Sequence, residues 1–157
     1  MKIKLLAVGR TDDKKIQHLT DAYARRLQHY VRFEFEEIPD LKNTKSLSVG
    51  EQKEKEGELL LKRLDSGDQV LLLDERGEEY RSVEFANFLQ KKMNAGTRKL
   101  VLVIGGPFGF SEGMYRRSDG SVSLSKMTFS HQMVRLFITE QLYRAFTILK
   151  NEPYHHE

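Results

Sequence analysis

Short apolar runs and longer amphipathic stretches alternate along the chain, and the alternation predicts its secondary structure. Runs with the length and residue types of buried strands are Ile3–Val8, Phe33–Ile38, Gln69–Leu73, Leu100–Ile104 and Val122–Ser125. Stretches with apolar residues at helical spacing are Asp13–Tyr30, Val49–Leu64, Val83–Met93 and His131–Lys150, with a shorter one over Glu112–Arg117. Such alternation is typical of an α/β domain with a mostly parallel sheet and helices on both faces.

Local signals mark the ends of the predicted helices. Ser48 and Glu51 have the spacing of a capping box, and Ser82 and Ser130 stand where N-caps are expected. Gly96 is expected to end a helix. The polar segment 40–47 is predicted to be a loop, and the charged run 51–58 is predicted to be the solvent face of its helix.

The last predicted helix carries more apolar surface than one buried face requires. On a helical wheel the wide apolar face holds Val134, Phe137, Ile138, Leu142, Ala145, Ile148 and Leu149. Outside that face lie Met133, Leu136, Tyr143 and Phe146. The pattern favours a homodimer through this helix, and a helix buried at the centre of a monomer stays open as the alternative. Arg135, Glu140 and Arg144 exclude a membrane helix.

Composition narrows the classes of protein that fit. The chain has 157 residues, no cysteine and no apolar run of about 18 residues that could span a membrane. Without cysteine there are no disulfides, thiolate metal sites or cysteine nucleophiles, and a cytoplasmic protein is expected. The five histidines are scattered, so no metal is expected. The net charge of +3 and the pI of about 9.0 permit binding to nucleic acid without requiring it.

Three predicted strands end in sequences suited to ligand binding. These ends are Leu73 in VLLLDERG, Gly105 in VLVIGGPFGFSEG and residues 123–128 in SVSLSKMTFSHQ. Ligands of parallel sheets bind beyond the carboxyl ends of the strands. The glycines fit neither the Walker A spacing nor the dinucleotide fingerprint, which disfavours a nucleotide hydrolase. Taken alone, the sequence at Gly105 is also compatible with a simple turn, and residues 123–128 are compatible with an ordinary β–α connection. Leu124 and Met127 nevertheless suit apolar contacts with the two faces of an adenine.

The C-terminal tail NEPYHHE carries two residues with useful chemistry. Tyr154 can stack on a nucleic-acid base, and His155 can accept or donate a proton near neutral pH. We expect the tail to be docked against the domain.

Several spaced motifs together give the sequence a family resemblance that covers its whole length. In chain order they are KIKLLAVGR, KEKEG, VLLLDERG, IGGPFG, SLSKMTFSHQMVR, EQLYRAF and the terminal PYH. In these the chain resembles the bacterial large-subunit ribosomal RNA methyltransferase H family, which belongs to the SPOUT methyltransferases. The resemblance implies a homodimeric, single-domain fold over residues 1–157, with a deep trefoil knot within about residues 69–157. General rules of chain topology argue against a knot, so the knot comes from the resemblance alone.

The resemblance also implies a reaction and a cofactor site. The family transfers a methyl group from S-adenosylmethionine to N3 of a pseudouridine in the helix 69 loop of 23S rRNA, within the assembled ribosome. The cofactor positions map onto Leu73, Gly105, Ser123, Leu124, Ser125, Lys126, Met127 and Thr128. The absence of cysteine closes the thiolate route to a pyrimidine carbon and leaves attack by a ring nitrogen open.

Attack by N3 requires that the nitrogen lose its proton to a base or be held as an anion by its surroundings. Our candidate catalytic residues are His155 as base and Tyr154 as a stacking contact. Arg135 and Arg144 are candidate substrate or phosphate contacts, although Arg144 can equally pair with Glu140. The alternative function is a catalytically silent RNA-binding dimer of the same fold.

Overall fold

A parallel sheet of five strands runs through the computed structural model, which describes residues 1–156. The strands are β1 (Lys2–Val8), β2 (Arg32–Ile38), β3 (Gln69–Glu79), β4 (Lys99–Ile104) and β5 (Ser121–Ser123). They lie in the order β2-β1-β4-β3-β5, and every neighbouring pair is parallel. The helices are α1 (Lys14–Leu27), α2 (Val49–Leu61), α3 (Ser82–Asn94), α4 (Glu112–Arg117) and α5 (His131–Leu149), with a short 3₁₀ turn over Thr44–Ser46. The predicted fold class is therefore confirmed.

Neighbouring residues of the central strands point to opposite faces of the sheet, and each face has its own apolar core. Leu5 and Leu102 belong to the core under α1, α3 and α5, whereas Leu6 and Val103 belong to the core under α2 and α4. A strand buried on both faces reads as a continuous apolar run, which is why KLLAV and LVLVI were recognisable in the sequence.

The helix ends confirm most of the predicted caps. Ser48 accepts from the Glu51 backbone in a full capping box, and Ser130 accepts from the Met133 backbone at the start of α5. Gly96, with a φ of +77°, follows the end of α3. Ser82 is wrong as an N-cap because α3 already includes it. The N-cap of α3 is Arg81, whose backbone N–H donates to the Glu84 side chain at 2.8 Å.

The largest difference from prediction lies in β3. We expected this strand to end at Leu73, but it continues to Glu79 through a register shift, and Val122 of β5 pairs with both Leu73 and Glu78. The intervening residues leave the ladder and return to it. Gly77 permits this return, because a Cβ there would lie 2.6 Å from the Val122 backbone. The other boundaries agree with the prediction to within three residues.

Candidate active site

The middle of β3 and the ends of β4 and β5 surround one cavity of about 350 Å³. Leu73, Gly105 and the hydroxyl-rich loop after β5 all line it, as does the start of α5. The structure thus brings together seven of the eight predicted cofactor residues. These are Leu73, Gly105, Ser123, Leu124, Ser125, Met127 and Thr128. Lys126 is exposed and does not line the cavity.

The loop after β5 is held by its own hydroxyl groups. Ser123 donates to the carbonyl oxygen of Ser125 at 3.0 Å, and the Ser125 hydroxyl accepts from the Met127 N–H at 2.9 Å. Thr128 reaches across to Glu75 at 3.4 Å. Met127 is 74% exposed at the rim of the cavity, and Phe108 is 47% exposed. The loop therefore offers backbone groups and an apolar side chain at the mouth of the cavity.

The glycine loop after β4 leaves little room for a side chain at two positions. A Cβ at Gly105 would lie 3.1 Å from the Phe110 ring and 3.2 Å from the Gly109 carbonyl oxygen. A Cβ at Gly106 would overlap the carboxyl group of Glu56. The Gly109 N–H donates to Gly106 O at 3.1 Å and closes the turn. The glycines thus keep the backbone close to its neighbours and leave the cavity open.

Charged side chains that sequence analysis did not single out also line the cavity. Asp74 accepts a hydrogen bond from the Tyr115 hydroxyl and another from the Arg76 N–H at 2.9 Å. The Arg76 guanidinium donates to Tyr115 at 3.4 Å. Burial and the Asp74 carboxylate raise the pKa of Tyr115, although Arg76 opposes the shift. The motif DERG was visible in the sequence, but the contacts of its Asp74 and Arg76 side chains with Tyr115 were not.

The tail lies elsewhere, docked on α1 and α5. The Tyr154 hydroxyl donates to Glu140 at 2.9 Å and lies 3.2 Å from the Tyr23 hydroxyl. Burial, with these hydrogen bonds, raises the pKa of Tyr154. The Arg144 guanidinium lies 4.7 Å from the centre of the Tyr154 ring. Neither Tyr154 nor His155 lines the cavity of its own chain. Glu157 lies outside the described residues.

Arg144 links the tail to α5. It donates to Glu140 at 2.6 Å, and its Nη1 lies 3.3 Å from Nδ1 of His155. The Glu140 hydrogen bond raises the pKa of Arg144. An arginine side chain only donates, so Nδ1 accepts and the neutral imidazole carries its proton on Nε2.

Arg135 is placed in a role that its charge did not predict. Its side chain is fully buried, and it donates to the carbonyl oxygens of Val8 (2.9 Å) and Gly9 (3.0 Å) and to Thr11 and Glu37. Burial lowers its pKa, although Glu37 opposes the shift. Because the Arg135 side chain has no exposed surface, it cannot reach a phosphate from this position, and the predicted phosphate contact is not supported. It instead ties α5 to the end of β1.

Two classes of site are not found among residues 1–156. No helix there is long and apolar enough to cross a membrane, and no group of histidine and carboxylate side chains there could hold a metal ion.

Comparisons with known proteins agree with one another. Residues 1–155 match the family described as "Predicted SPOUT methyltransferase". A protein of Christiangramia forsetii, named ribosomal RNA large subunit methyltransferase H, is 61% identical over 99% of both chains. Proteins of the same name from Flavobacterium johnsoniae and Parabacteroides distasonis are 61% and 55% identical over the full length of both chains.

Proposed function

The chain belongs to the SPOUT methyltransferase family, and we propose that it methylates N3 of a pseudouridine in the helix 69 loop of 23S rRNA, with S-adenosylmethionine as donor. The observation that carries this proposal is that the middle of β3 and the loops after β4 and β5 meet at one cavity, which seven of the eight residues implied for the cofactor line. A protein that acts on the ribosome works in the bacterial cytoplasm.

The cavity fits the proposed cofactor in size and chemistry. Its volume of about 350 Å³ falls within the range of roughly 300–1,000 Å³ usual for small-molecule sites. Leu73, Leu124 and Met127 offer apolar contacts for the adenine, and the backbone of residues 123–128 offers donors and acceptors for its edge. Gly105 gives close approach along the β4 side. S-adenosylmethionine supplies an activated methyl group on a sulfonium, so the protein has to position it and prepare the accepting nitrogen.

A homodimer through α5 is part of the proposal. Met133, Leu136, Phe137 and Tyr143 are only partly buried, whereas Leu142 and Phe146 lie in the core of the single chain. Met133, Leu136 and Phe137 recur at helical spacing and form an outer stripe on α5. The Tyr143 ring instead packs against Tyr23, Tyr30 and Tyr154 of its own chain. A second copy of the chain would cover this stripe, which supports the dimer over a helix wholly enclosed by its own chain.

In a dimer, the tail of one chain can approach the cavity of the other chain. The N-terminal end of α5 lines the cavity, whereas the tail docks farther along the helix, where Tyr154 contacts Glu140 and His155 contacts Arg144. From these positions Tyr154 and His155 do not line the cavity of their own chain. If the two α5 helices pack antiparallel, each tail approaches the cavity of the partner chain, and we propose that this arrangement assembles the complete site.

The contacts of the tail favour stabilisation of an anion over removal of a proton by His155. Nδ1 of His155 is engaged with Arg144, and Nε2 carries the proton, so the ring as docked donates. The Arg144 guanidinium is a fixed positive charge beside it. We propose that Arg144 and His155 favour the N3 anion of the target, that the Tyr154 ring stacks on its base, and that Arg144 keeps its predicted role at the substrate.

Methyl transfer from labelled S-adenosylmethionine tests the proposal. The purified protein is offered free 23S rRNA, isolated large subunits and assembled ribosomes, and the modified nucleoside is identified by mass spectrometry. We expect N3-methylpseudouridine in assembled ribosomes, because a net charge of +3 for each chain gives little selective attraction to free RNA. Binding of the protein to ribosomes without saturable binding of S-adenosylmethionine would support the silent RNA-binding dimer and would refute the enzyme.

A further inference from the structure

Glu56 in α2 is a buried carboxylate with an unsatisfied oxygen. Its side chain is 3% exposed, although sequence analysis placed the run around it on the solvent face of the helix. One carboxylate oxygen accepts from the Gln52 side chain at 2.9 Å, and Oε2 has no hydrogen-bond partner among the described residues. A buried acceptor left without a partner is uncommon and costly. The position therefore calls for an explanation beyond packing.

The unsatisfied group faces the wall of the cofactor cavity. Gly106 lines that cavity, and a Cβ on Gly106 would overlap the Glu56 carboxyl group. Glu56 thus lies directly against a residue of the cavity wall. Glu56 does not itself line the cavity, so it acts on a ligand through its charge and not through a hydrogen bond.

The surroundings of Glu56 hold few charges that could compensate its own. Burial raises the pKa of Glu56, the Gln52 hydrogen bond lowers it, the Asp40 carboxylate raises it and His131 lowers it. His131, at the start of α5, also lines the cavity. The carboxyl group thus retains its proton more readily than an exposed glutamate and lacks a permanent cation beside it. A positive charge in the cavity would favour its ionised form.

The proposed cofactor and its product differ in this respect. S-adenosylmethionine carries a positive sulfonium, and S-adenosylhomocysteine, left after methyl transfer, has a neutral thioether. We propose that Glu56 makes the cavity favour the sulfonium cofactor over the neutral product. Loss of the positive charge on methyl transfer would then lower the affinity of the protein for the product. The inference rests on the proposed function and names a residue that sets its specificity.

Binding of the two ligands to Glu56→Gln tests the inference without any measurement of activity. Glutamine keeps the shape and the bond with Gln52 but cannot become negative. We expect the ratio of the two dissociation constants, product over cofactor, to fall by up to about tenfold in the variant, because the variant lacks the negative charge that attracts the sulfonium. In the unmodified protein the ratio should rise with pH, and in Glu56→Gln this rise should be smaller.

Two matched variants isolate the role of Glu56. Glu58→Gln removes a charge from the exposed side of the same helix and should leave the ratio unchanged. His131→Gln removes the imidazole that lies near Glu56 and also lines the cavity, and the pH dependence should persist in this variant. The amino group common to both ligands titrates in every variant, so its contribution cancels in the comparison.

The outcomes separate this inference from the function on which it rests. Equal weakening of both ligands in Glu56→Gln, or an unchanged ratio, would overturn the charge-based role and leave the methyltransferase standing. Failure of the unmodified protein to bind S-adenosylmethionine would instead refute the proposed function. If circular dichroism shows that Glu56→Gln does not fold, the pH dependence of the ratio in the unmodified protein and His131→Gln decides. A ratio independent of pH would then overturn the inference.

Discussion

Gly105 has almost no room for a side chain, and this makes it a direct probe of the cavity. In Gly105→Val the Cβ would press on Phe110 and the Gly109 carbonyl oxygen, and the added methyl groups would crowd the cavity. We expect affinity for S-adenosylmethionine to fall at least tenfold in calorimetry, with the circular dichroism spectrum retained. The control is Gly67→Ala, since a Cβ at Gly67 meets nothing within 4 Å. Unchanged affinity in a folded Gly105→Val protein would contradict the placement of the site.

Arg135 should contribute to stability and not to RNA binding. Arg135→Met removes a buried cation, and with it the ion pair with Glu37 and the hydrogen bonds to two backbone carbonyls. We expect the free energy of unfolding in urea to fall by about 3–5 kcal/mol, the usual cost of breaking a buried ion pair. Arg116→Met, which removes an exposed partner of Glu112, should change it by less than about 1 kcal/mol. Equal effects of the two substitutions would contradict the structural role of Arg135.

Arg135 and Glu56 also show where sequence analysis reaches its limit. A charged residue is mostly exposed, so both were assigned to solvent or to a polyanion. Their burial depends on contacts distant in sequence: Arg135 bonds to the end of β1, and Glu56 abuts Gly106. Helical periodicity places a residue on a face of its helix but does not reveal what that face meets.

At the scale of elements, the tail should separate catalysis from cofactor binding. Removal of residues 154–157 deletes the Tyr154 ring and the His155 imidazole but no cavity-lining group. We expect methylation of ribosomes to be nearly abolished while the affinity for S-adenosylmethionine stays within about twofold. Removal of residue 157 alone is the control. Loss of both methylation and cofactor binding would mean that the tail supports the fold or the cofactor site. Full methylation by the truncated protein would show that Tyr154 and His155 have no catalytic role.

The two sides of α5 should respond differently to a charge. Leu136 is partly buried and belongs to the outer stripe, whereas Leu142 is fully buried in the core. We expect Leu136→Glu to give a folded monomer in analytical ultracentrifugation and Leu142→Glu to unfold the chain, because an unpaired buried charge costs several kcal/mol. A stable monomer of the unmodified protein at micromolar concentration would refute the dimer. The sequence alone could not assign these two leucines to different partners.

For the whole molecule, raised tyrosine pKa values predict a loss of stability in alkali. The Glu152 hydrogen bond raises the pKa of Tyr30 to about 12, and burial raises that of Tyr80 to about 12. In the unfolded chain both titrate near 10. Their contribution is therefore complete below about pH 10 and is lost as the pH rises to about 12. Urea unfolding between about pH 9 and 12 should show the decline, and Tyr30→Phe should reduce it. A midpoint independent of pH would contradict these pKa values.

Most of the sheet could be predicted because its strands are buried on both faces and therefore apolar throughout. The continuation of β3 to Glu79 could not, since its second half reads ERGEE and is polar. The knot also lay beyond residue-level analysis: it follows from the SPOUT family, because threading of the chain leaves no local pattern.

The position of β4 between β1 and β3 has a consequence for synthesis of the protein. Lys2 of β1 pairs with Lys99 of β4, so the strand that leaves the ribosome first must wait for one translated far later. Until then β1 has an open edge and apolar residues on both faces. A nascent chain that stops before β4 would thus lack the strand that joins β1 to β3 and could not form the complete sheet. It would be a substrate for chaperones and proteases, and the cell would gain active protein only from chains translated to completion.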